Sequence, residues 1–84
     1  MIANDRFEKV EVGSREELRN WLLENHKSAE SFWLVTYKKS KPEKYVDRWV
    51  VLDELICFGW IDGIRRKLDG DRTMQLISQR KVQH

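Results

Sequence analysis

The 84-residue chain carries 16 Lys and Arg residues against 14 Asp and Glu, together with four Trp, one Pro and one Cys. This length fits one domain over residues 1–84, because a chain this short cannot bury two independent cores. One Cys excludes an internal disulfide, and one Cys with two His excludes a structural zinc site, so we expect no metal and no cofactor. No apolar run approaches the roughly 20 residues of a membrane-spanning helix, and the N-terminus lacks the layout of a signal peptide. We therefore expect a cytoplasmic protein without membrane insertion, which the lone free thiol also favours.

The first predicted elements are a short strand and a capped helix. Residues 7–12 alternate in character, which predicts a half-exposed strand that ends at Gly13. Ser14 and Glu17 have the spacing of a capping box, in which the Ser hydroxyl accepts from the Glu17 amide and the Glu carboxylate accepts from the Ser14 amide. We predict a helix from about Arg15 to His26, where the helix dipole favours a protonated His26. The apolar stripe of this helix comprises Leu18, Trp21 and Leu22.

Residues 31–39 form the clearest predicted strand. One face of this strand carries Phe32, Leu34 and Thr36. The other face carries Trp33, Val35 and Tyr37. Because both faces are largely apolar, we expect a central strand that is covered on two sides. Pro42 then marks a turn.

A second helix is predicted to begin after Asp47, which can act as its N-cap. We expect Asp53 and Glu54 to point outward, and Gly59 to end the helix with a positive φ. The predicted apolar face of this helix comprises Val51, Leu52, Leu55, Ile56 and Phe58.

Two further strands are predicted, over residues 60–68 and 72–80, joined by a turn at Asp69-Gly70 or Gly70-Asp71. The order of elements is then β-α-β-α-β-β. This order predicts an α+β fold, a small single domain with its helices packed on one side of a mostly antiparallel sheet.

The segment between the second helix and the third strand resembles a known family signature. Residues 55–63 read Leu-Ile-Cys-Phe-Gly-Trp-Ile-Asp-Gly, which is similar to the A-L-C-F-G-W-I-D-G pattern of the YdeI/OmpD-associated (OmdA-like, bacteriocin-protection) family. The resemblance extends over about residues 7–81, and it includes Trp21-Leu22, Asn25-His26 and Phe32-Trp33-Leu34 running into Lys38-Lys39. Where the family reads F-T/S-P-R-R, this chain has Ile-Ser-Gln-Arg-Lys at residues 77–81, and it lacks the Ser/Trp/Asn element that follows. We therefore expect a C-terminally truncated member.

The resemblance implies a bacterial cytoplasmic protein, and no reaction is established for the family as a class. On this basis we expect a non-catalytic binding protein in envelope-stress or antimicrobial-peptide and bacteriocin resistance. Trp21 and Trp33 are expected in the core, whereas Trp60 is a candidate pocket wall beside Gly59. Because the missing family tail would leave apolar area exposed, we also expect a homodimer.

Asp62 is the most notable candidate site residue, because an acid stands here between Ile61 and Gly63, just after the Gly59-Trp60 turn. It can line a ligand pocket, or it can serve structure by accepting backbone amides or pairing with Arg65 or Arg80. No catalytic residue is assigned. The candidate ligand-binding residues are Gly59, Trp60, Asp62, Gly63, Arg65 and Arg80.

Two alternative functions remain open. The basic segments 38–48 and 65–81 flank the acidic residues 49–64, so they can form solvated faces or bind an anion or nucleic acid. A small anionic ligand or a protein is the expected partner. Nucleic acid is disfavoured because the terminal hairpin carries no stacking aromatic after Trp60. The second alternative is an enzyme that uses Cys57 and Asp62, but Cys57 falls at a helix C-terminus, where the dipole disfavours a thiolate, and buried packing is the favoured role.

Overall fold

The computed structural model describes residues 7–27 and 30–79, which contain four strands and two helices. They follow one another in the predicted β-α-β-α-β-β order. The elements are β1 (Glu8–Glu11), α1 (Arg15–Glu24), β2 (Phe32–Tyr37), α2 (Arg48–Cys57), β3 (Trp60–Lys67) and β4 (Arg72–Gln79).

The strands form a single mixed sheet in the order β1-β2-β4-β3. β1 pairs with β2 in parallel, while β4 pairs antiparallel with both β2 and β3. At the centre, Leu34 lies opposite Val10 on one side and Gln75 on the other. The prediction that β2 is a central strand is confirmed, and so is the α+β fold.

Both helices pack on the same face of this sheet. Leu18 and Leu22 of α1 belong to one core cluster with Val51 and Leu55 of α2. The sheet contributes Phe32, Leu34, Trp60 and Ile77 to that cluster. Neither helix of the described ranges has the length and apolar character that crossing a membrane requires.

The opposite face of β2 is also buried. Trp33 and Val35 are 1% and 2% exposed, as expected for a strand with two apolar faces. The guanidinium of Arg66 lies 5.9 Å from the centroid of the Trp33 ring. Arg66 therefore covers part of the side of the sheet that faces away from the helices.

The start of α1 follows the predicted capping box with one correction. The Ser14 hydroxyl accepts a hydrogen bond from the Glu17 amide at 3.1 Å, as predicted. The Glu17 carboxylate accepts from the amide of Gly13 at 2.6 Å, rather than from that of Ser14. The helix also ends two residues earlier than predicted, at Glu24. The Asn25 amide donates the last helical hydrogen bond, to the Trp21 carbonyl, and His26 Nδ1–H donates to the Leu23 carbonyl.

α2 begins as predicted, but two of its side chains point the other way. The Asp47 carboxylate caps the helix by accepting from the Trp49 amide at 2.7 Å. Glu54, expected to point outward, is 1% exposed, whereas Ile56, expected in the core, is 68% exposed. The helical period explains both errors, since Glu54 lies three residues from Val51 on its buried face and Ile56 does not. Five apolar positions spread over residues 51–58 were too broad for one face.

Candidate functional site

A basic pocket lies where β2 ends and the following loop folds back over the sheet. It encloses about 230 Å³. Four cationic side chains line it: Lys38, Lys39, Arg48 and Arg65. The remaining wall comes from Thr36, Tyr37, Tyr45, Val46 and Thr73. We refer to this site as the basic pocket.

The four cations reach the pocket from three separate places in the chain. Lys38 and Lys39 directly follow β2, and Arg48 is the first residue of α2. Tyr45 forms an isolated parallel bridge with Tyr37, which holds the loop between these two elements against the end of β2. Arg65 comes from β3, on the far side of β4.

A bulge in β3 aims Arg65 at the pocket. Asp62 pairs with Ile77 and Arg65 pairs with Gln75, so two residues of β3 lie opposite Leu76 alone. One extra residue exchanges the two faces of a strand, and Arg65 therefore shares the helix-covered face with Asp62. Arg66 takes the opposite face, over Trp33. Neighbouring residues of a strand point to opposite faces, so the two arginines diverge.

The charge of the basic pocket is not neutralised by neighbouring acids. No acidic side chain lines it, and among residues 7–27 and 30–79 none of its four cations forms an ion pair. Asp47 is the nearest acid in the chain to Arg48, and its carboxylate is used by the Trp49 amide and by the Tyr45 hydroxyl at 3.3 Å. The pocket therefore presents a locally positive surface.

Hydroxyl groups supply the other polar atoms of the pocket. The Thr36 and Thr73 hydroxyls lie 3.4 Å apart across the β2–β4 pair, and Thr36 is 5% exposed. The Tyr37 hydroxyl donates to Glu11 at 2.6 Å, and this hydrogen bond raises the pKa of the phenol. The Tyr37 proton is thus already engaged, and because one Thr hydroxyl donates to the other, a single Thr proton is left to donate to an anion.

The predicted ligand-binding residues do not form one cluster. Gly59 adjoins a different cavity, Asp62 and Gly63 lie exposed on the edge strand β3, and only Arg65 lines the basic pocket. Arg80 lies outside the described residues. The Asp62 carboxylate forms no hydrogen bond or ion pair within the part of the chain that the structure describes.

Trp60, expected to line a pocket, is a core residue instead. It is 2% exposed, and its ring lies 5.5 Å from that of Trp21 and 6.2 Å from that of Phe32, measured between centroids. Within residues 7–27 and 30–79, its Nε1 finds no hydrogen-bond partner. Gly59 has the predicted positive φ, at 75°, and this lets the chain turn from α2 straight into the buried Trp60.

Cys57 is exposed, which corrects the expectation that it packs in the core. It lines a second cavity with His26, Leu23, Phe58, Gly59 and Gln79, of about 400 Å³. No hydrogen bond joins Cys57 to His26 in the described part of the chain, and Asp62 does not line this cavity. The two cavities lie near opposite ends of β4, one at Thr73 and the other at Gln79.

The sequence identified both basic segments but not their convergence. Lys38, Lys39 and Arg48 were visible as an excess of positive charge over residues 38–48. The pairing of Thr36 with Thr73 brings the second basic segment beside the first, and strand pairing between distant segments cannot be read from local pattern. No group of three or more His, Cys, Asp and Glu side chains within the described ranges could hold a metal ion.

Comparison with known proteins gives a family without an assigned activity. Neither the curated proteins nor the solved structures include a match to this chain. A family model described as a domain of unknown function, DUF8412, matches residues 10–84. The match spans most of the sequence, and the chain therefore belongs to the DUF8412 family.

Proposed function

We propose that this protein is a non-catalytic binding module for a small phosphate-bearing anion, held in the basic pocket. The observation that supports the proposal is the convergence of four cations, free of ion pairs in residues 7–27 and 30–79, around one cavity. Lys and Arg side chains form short charge-assisted hydrogen bonds with phosphate oxygens, and the fork of Arg binds two oxygens at once.

The energetics of the free protein favour the same interpretation. Like charges gathered around one cavity repel each other, so they make the unoccupied site less stable than a dispersed arrangement. Three arginines elsewhere in the fold are instead paired with acids: Arg15 and Arg19 with Glu54, and Arg72 with Glu11 and Asp69. A bound anion would provide the missing partner for the four pocket cations. The positive end of the α2 dipole, at Arg48, adds to the attraction.

A titration with ribose 5-phosphate tests the proposal. We expect saturable binding, followed by calorimetry or by NMR shifts, with the shifted amides concentrated around residues 36–39, 46–48 and 65. Arg65→Gln removes one charge-assisted partner and should weaken binding by about 10-fold or more. Affinity should also fall as salt is raised from low to physiological ionic strength, because salt screens the cations.

Lys9→Gln is the matched control for this experiment. Lys9 is an exposed cation on β1, at the other edge of the sheet from β3, so the substitution changes the net charge equally without touching the pocket. The affinity of this variant should stay close to that of the wild type. Equal losses in both variants would mean that only net charge matters, and would contradict a specific pocket.

Other expectations drawn from the sequence stay predictions: kinship with the YdeI/OmpD-associated family, a role in bacteriocin resistance, a cytoplasmic location and a homodimer. Sedimentation of the purified protein over a range of concentrations would test the homodimer. Survival of a deletion strain exposed to bacteriocins or cationic peptides would test the resistance role.

A further inference from the structure

The indole of Trp49 is an exposed aromatic surface at the start of α2. Trp49 is 67% exposed, although burial of a Trp side chain contributes more to stability than burial of most other side chains. The Asp47 carboxylate accepts a hydrogen bond from the Trp49 amide, which fixes the backbone of Trp49 in the first turn of α2. The ring contributes little to the core, and its exposed surface is open to a ligand.

Arg48 connects this ring to the basic pocket. Its side chain lines the pocket, and its guanidinium carbon lies 5.4 Å from the centroid of the Trp49 ring. A guanidinium at this distance interacts with the ring through a cation–π contact. The same Arg can therefore contact an anion in the pocket while it supports the indole beside it. Two other lining residues make a similar contact, since Lys39 Nζ lies 6.0 Å from the centroid of the Tyr45 ring.

We infer that the ligand is a nucleotide, with its phosphate in the basic pocket and its base stacked on the indole of Trp49. This inference rests on the proposed function and names the class of its ligand. A cationic pocket with an adjoining exposed aromatic ring is the combination used to bind nucleotides without base-specific hydrogen bonds, since every base offers a face for stacking. The aromatic group that the terminal hairpin lacks is supplied here by α2, which tertiary structure brings next to Arg65.

Docking of an apolar partner on α2 is the competing explanation for the exposed ring. Ile56 is exposed on the same helix, seven residues further on, and so about 10 Å along the helix axis from Trp49. Ile56 does not line the basic pocket. An apolar docking surface would use Ile56 together with Trp49, whereas a nucleotide bound in the pocket uses Trp49 alone, and this difference allows a test.

The test compares adenosine 5′-monophosphate with ribose 5-phosphate, which lacks the base, in calorimetric titrations of the full chain. The wild type should bind the nucleotide about tenfold more tightly, because stacking of one base on an aromatic side chain is typically worth that much or more. Trp49→Ala should abolish this preference, so that the variant binds the nucleotide no more tightly than it binds ribose 5-phosphate. Ile56→Ala, the control, should leave the preference intact. Because both side chains are exposed, neither variant should impair folding.

The outcomes separate the two proposals. Suppose that ribose 5-phosphate binds and that its affinity depends on Arg65. The inference is then overturned, and the proposed function stands, if the wild type binds the nucleotide no more tightly, or if Trp49→Ala still binds the nucleotide more tightly than ribose 5-phosphate. If ribose 5-phosphate fails to bind, the proposed function is overturned as well. A loss of the preference in Ile56→Ala would favour the apolar surface and contradict the inference.

A third probe distinguishes free nucleotides from single-stranded nucleic acid as the natural ligand. A single-stranded pentanucleotide presents the same phosphate and base within a longer chain. Binding of the pentanucleotide more tightly than the mononucleotide, with a steeper dependence on salt, would assign the site to single strands. Equal affinities would assign it to free nucleotides. In both cases Trp49→Ala should weaken binding.

Discussion

The Glu54 carboxylate of α2 accepts two hydrogen bonds from the guanidinium of Arg19 in α1, from Nε at 3.1 Å and from Nη2 at 2.9 Å. Arg15 Nε donates a third at 2.6 Å. The carboxylate is almost fully buried, whereas both Arg side chains are about half exposed. This cluster ties the two helices together on the sheet, and its asymmetric burial determines what its disruption should cost.

Removing the two arginines should destabilise the fold more than removing the carboxylate. Glu54→Gln leaves two half-exposed cations that water can solvate, so we expect the free energy of unfolding to fall by about 1–2 kcal/mol. The double variant Arg15→Gln with Arg19→Gln leaves a buried carboxylate without a counter-charge, which is the costlier state. Urea denaturation at pH 7 measures both, with Lys9→Gln as an exposed control. An equal or smaller loss in the double variant would contradict this account.

The same cluster should make stability depend on acid pH. Hydrogen bonds from Arg19, followed by those from Arg15, hold the pKa of Glu54 below its ordinary value of 4.5 against the opposing effect of burial. The folded state thus releases this proton more readily than the unfolded state, so the stabilisation is complete above about pH 4.5 and is lost as the pH falls through the lowered pKa. Arg72 lowers the pKa of Asp69, and Tyr37 with Arg72 that of Glu11, so they act in the same direction.

Urea denaturation between pH 6 and pH 3 measures this effect. The decline should be shallower in Glu54→Gln, which has no proton to gain at this position. In the double arginine variant only burial acts on Glu54, so its protonation should stabilise the fold instead. Parallel pH profiles in the three proteins would show that Glu54 does not carry the effect.

Two glycines provide a matched test of backbone strain. Gly59 has φ of 75°, and a Cβ there would meet nothing within 4 Å. Any loss of stability in Gly59→Ala therefore comes from the left-handed backbone alone. We expect the free energy of unfolding to fall by about 1–2 kcal/mol. Gly70 is equally open, but its φ lies outside the left-handed range, so Gly70→Ala should be neutral or stabilise by up to about 1 kcal/mol. Thermal unfolding of the two variants makes the comparison, and similar losses in both would refute the assignment.

Cys57 should react as an ordinary exposed thiol. Ellman's reagent should label the folded protein to about one equivalent without denaturant, because the side chain is exposed. His26→Ala should leave the rate unchanged, since His26 uses Nδ1–H on the Leu23 carbonyl and makes no hydrogen bond to Cys57 in the described chain. A rate that is raised well above that of a free thiol, and that falls in His26→Ala, would revive the enzyme alternative.

The local sequence pattern predicted much of the fold. Ser14 and Asp47 cap the two helices where the sequence placed them, and Gly59 takes the positive φ expected after α2. The alternation of β2, with both faces apolar, correctly indicated a central strand. These features depend on backbone preferences and on periods of a few residues, which are encoded within each segment.

The candidate site was only partly predictable, for a physical reason. The sequence determined that residues 38–48 and 65–81 carry excess positive charge. It could not reveal that β4 inserts between β2 and β3, that a bulge turns Arg65 toward Lys38, or that Glu54 is buried between two arginines. Each of these depends on pairing and packing between segments far apart in the chain, where the free energy comes from contacts that no local pattern records. Local sequence thus determined the elements and their caps, and tertiary packing decided which charges are neutralised and which remain open to a ligand.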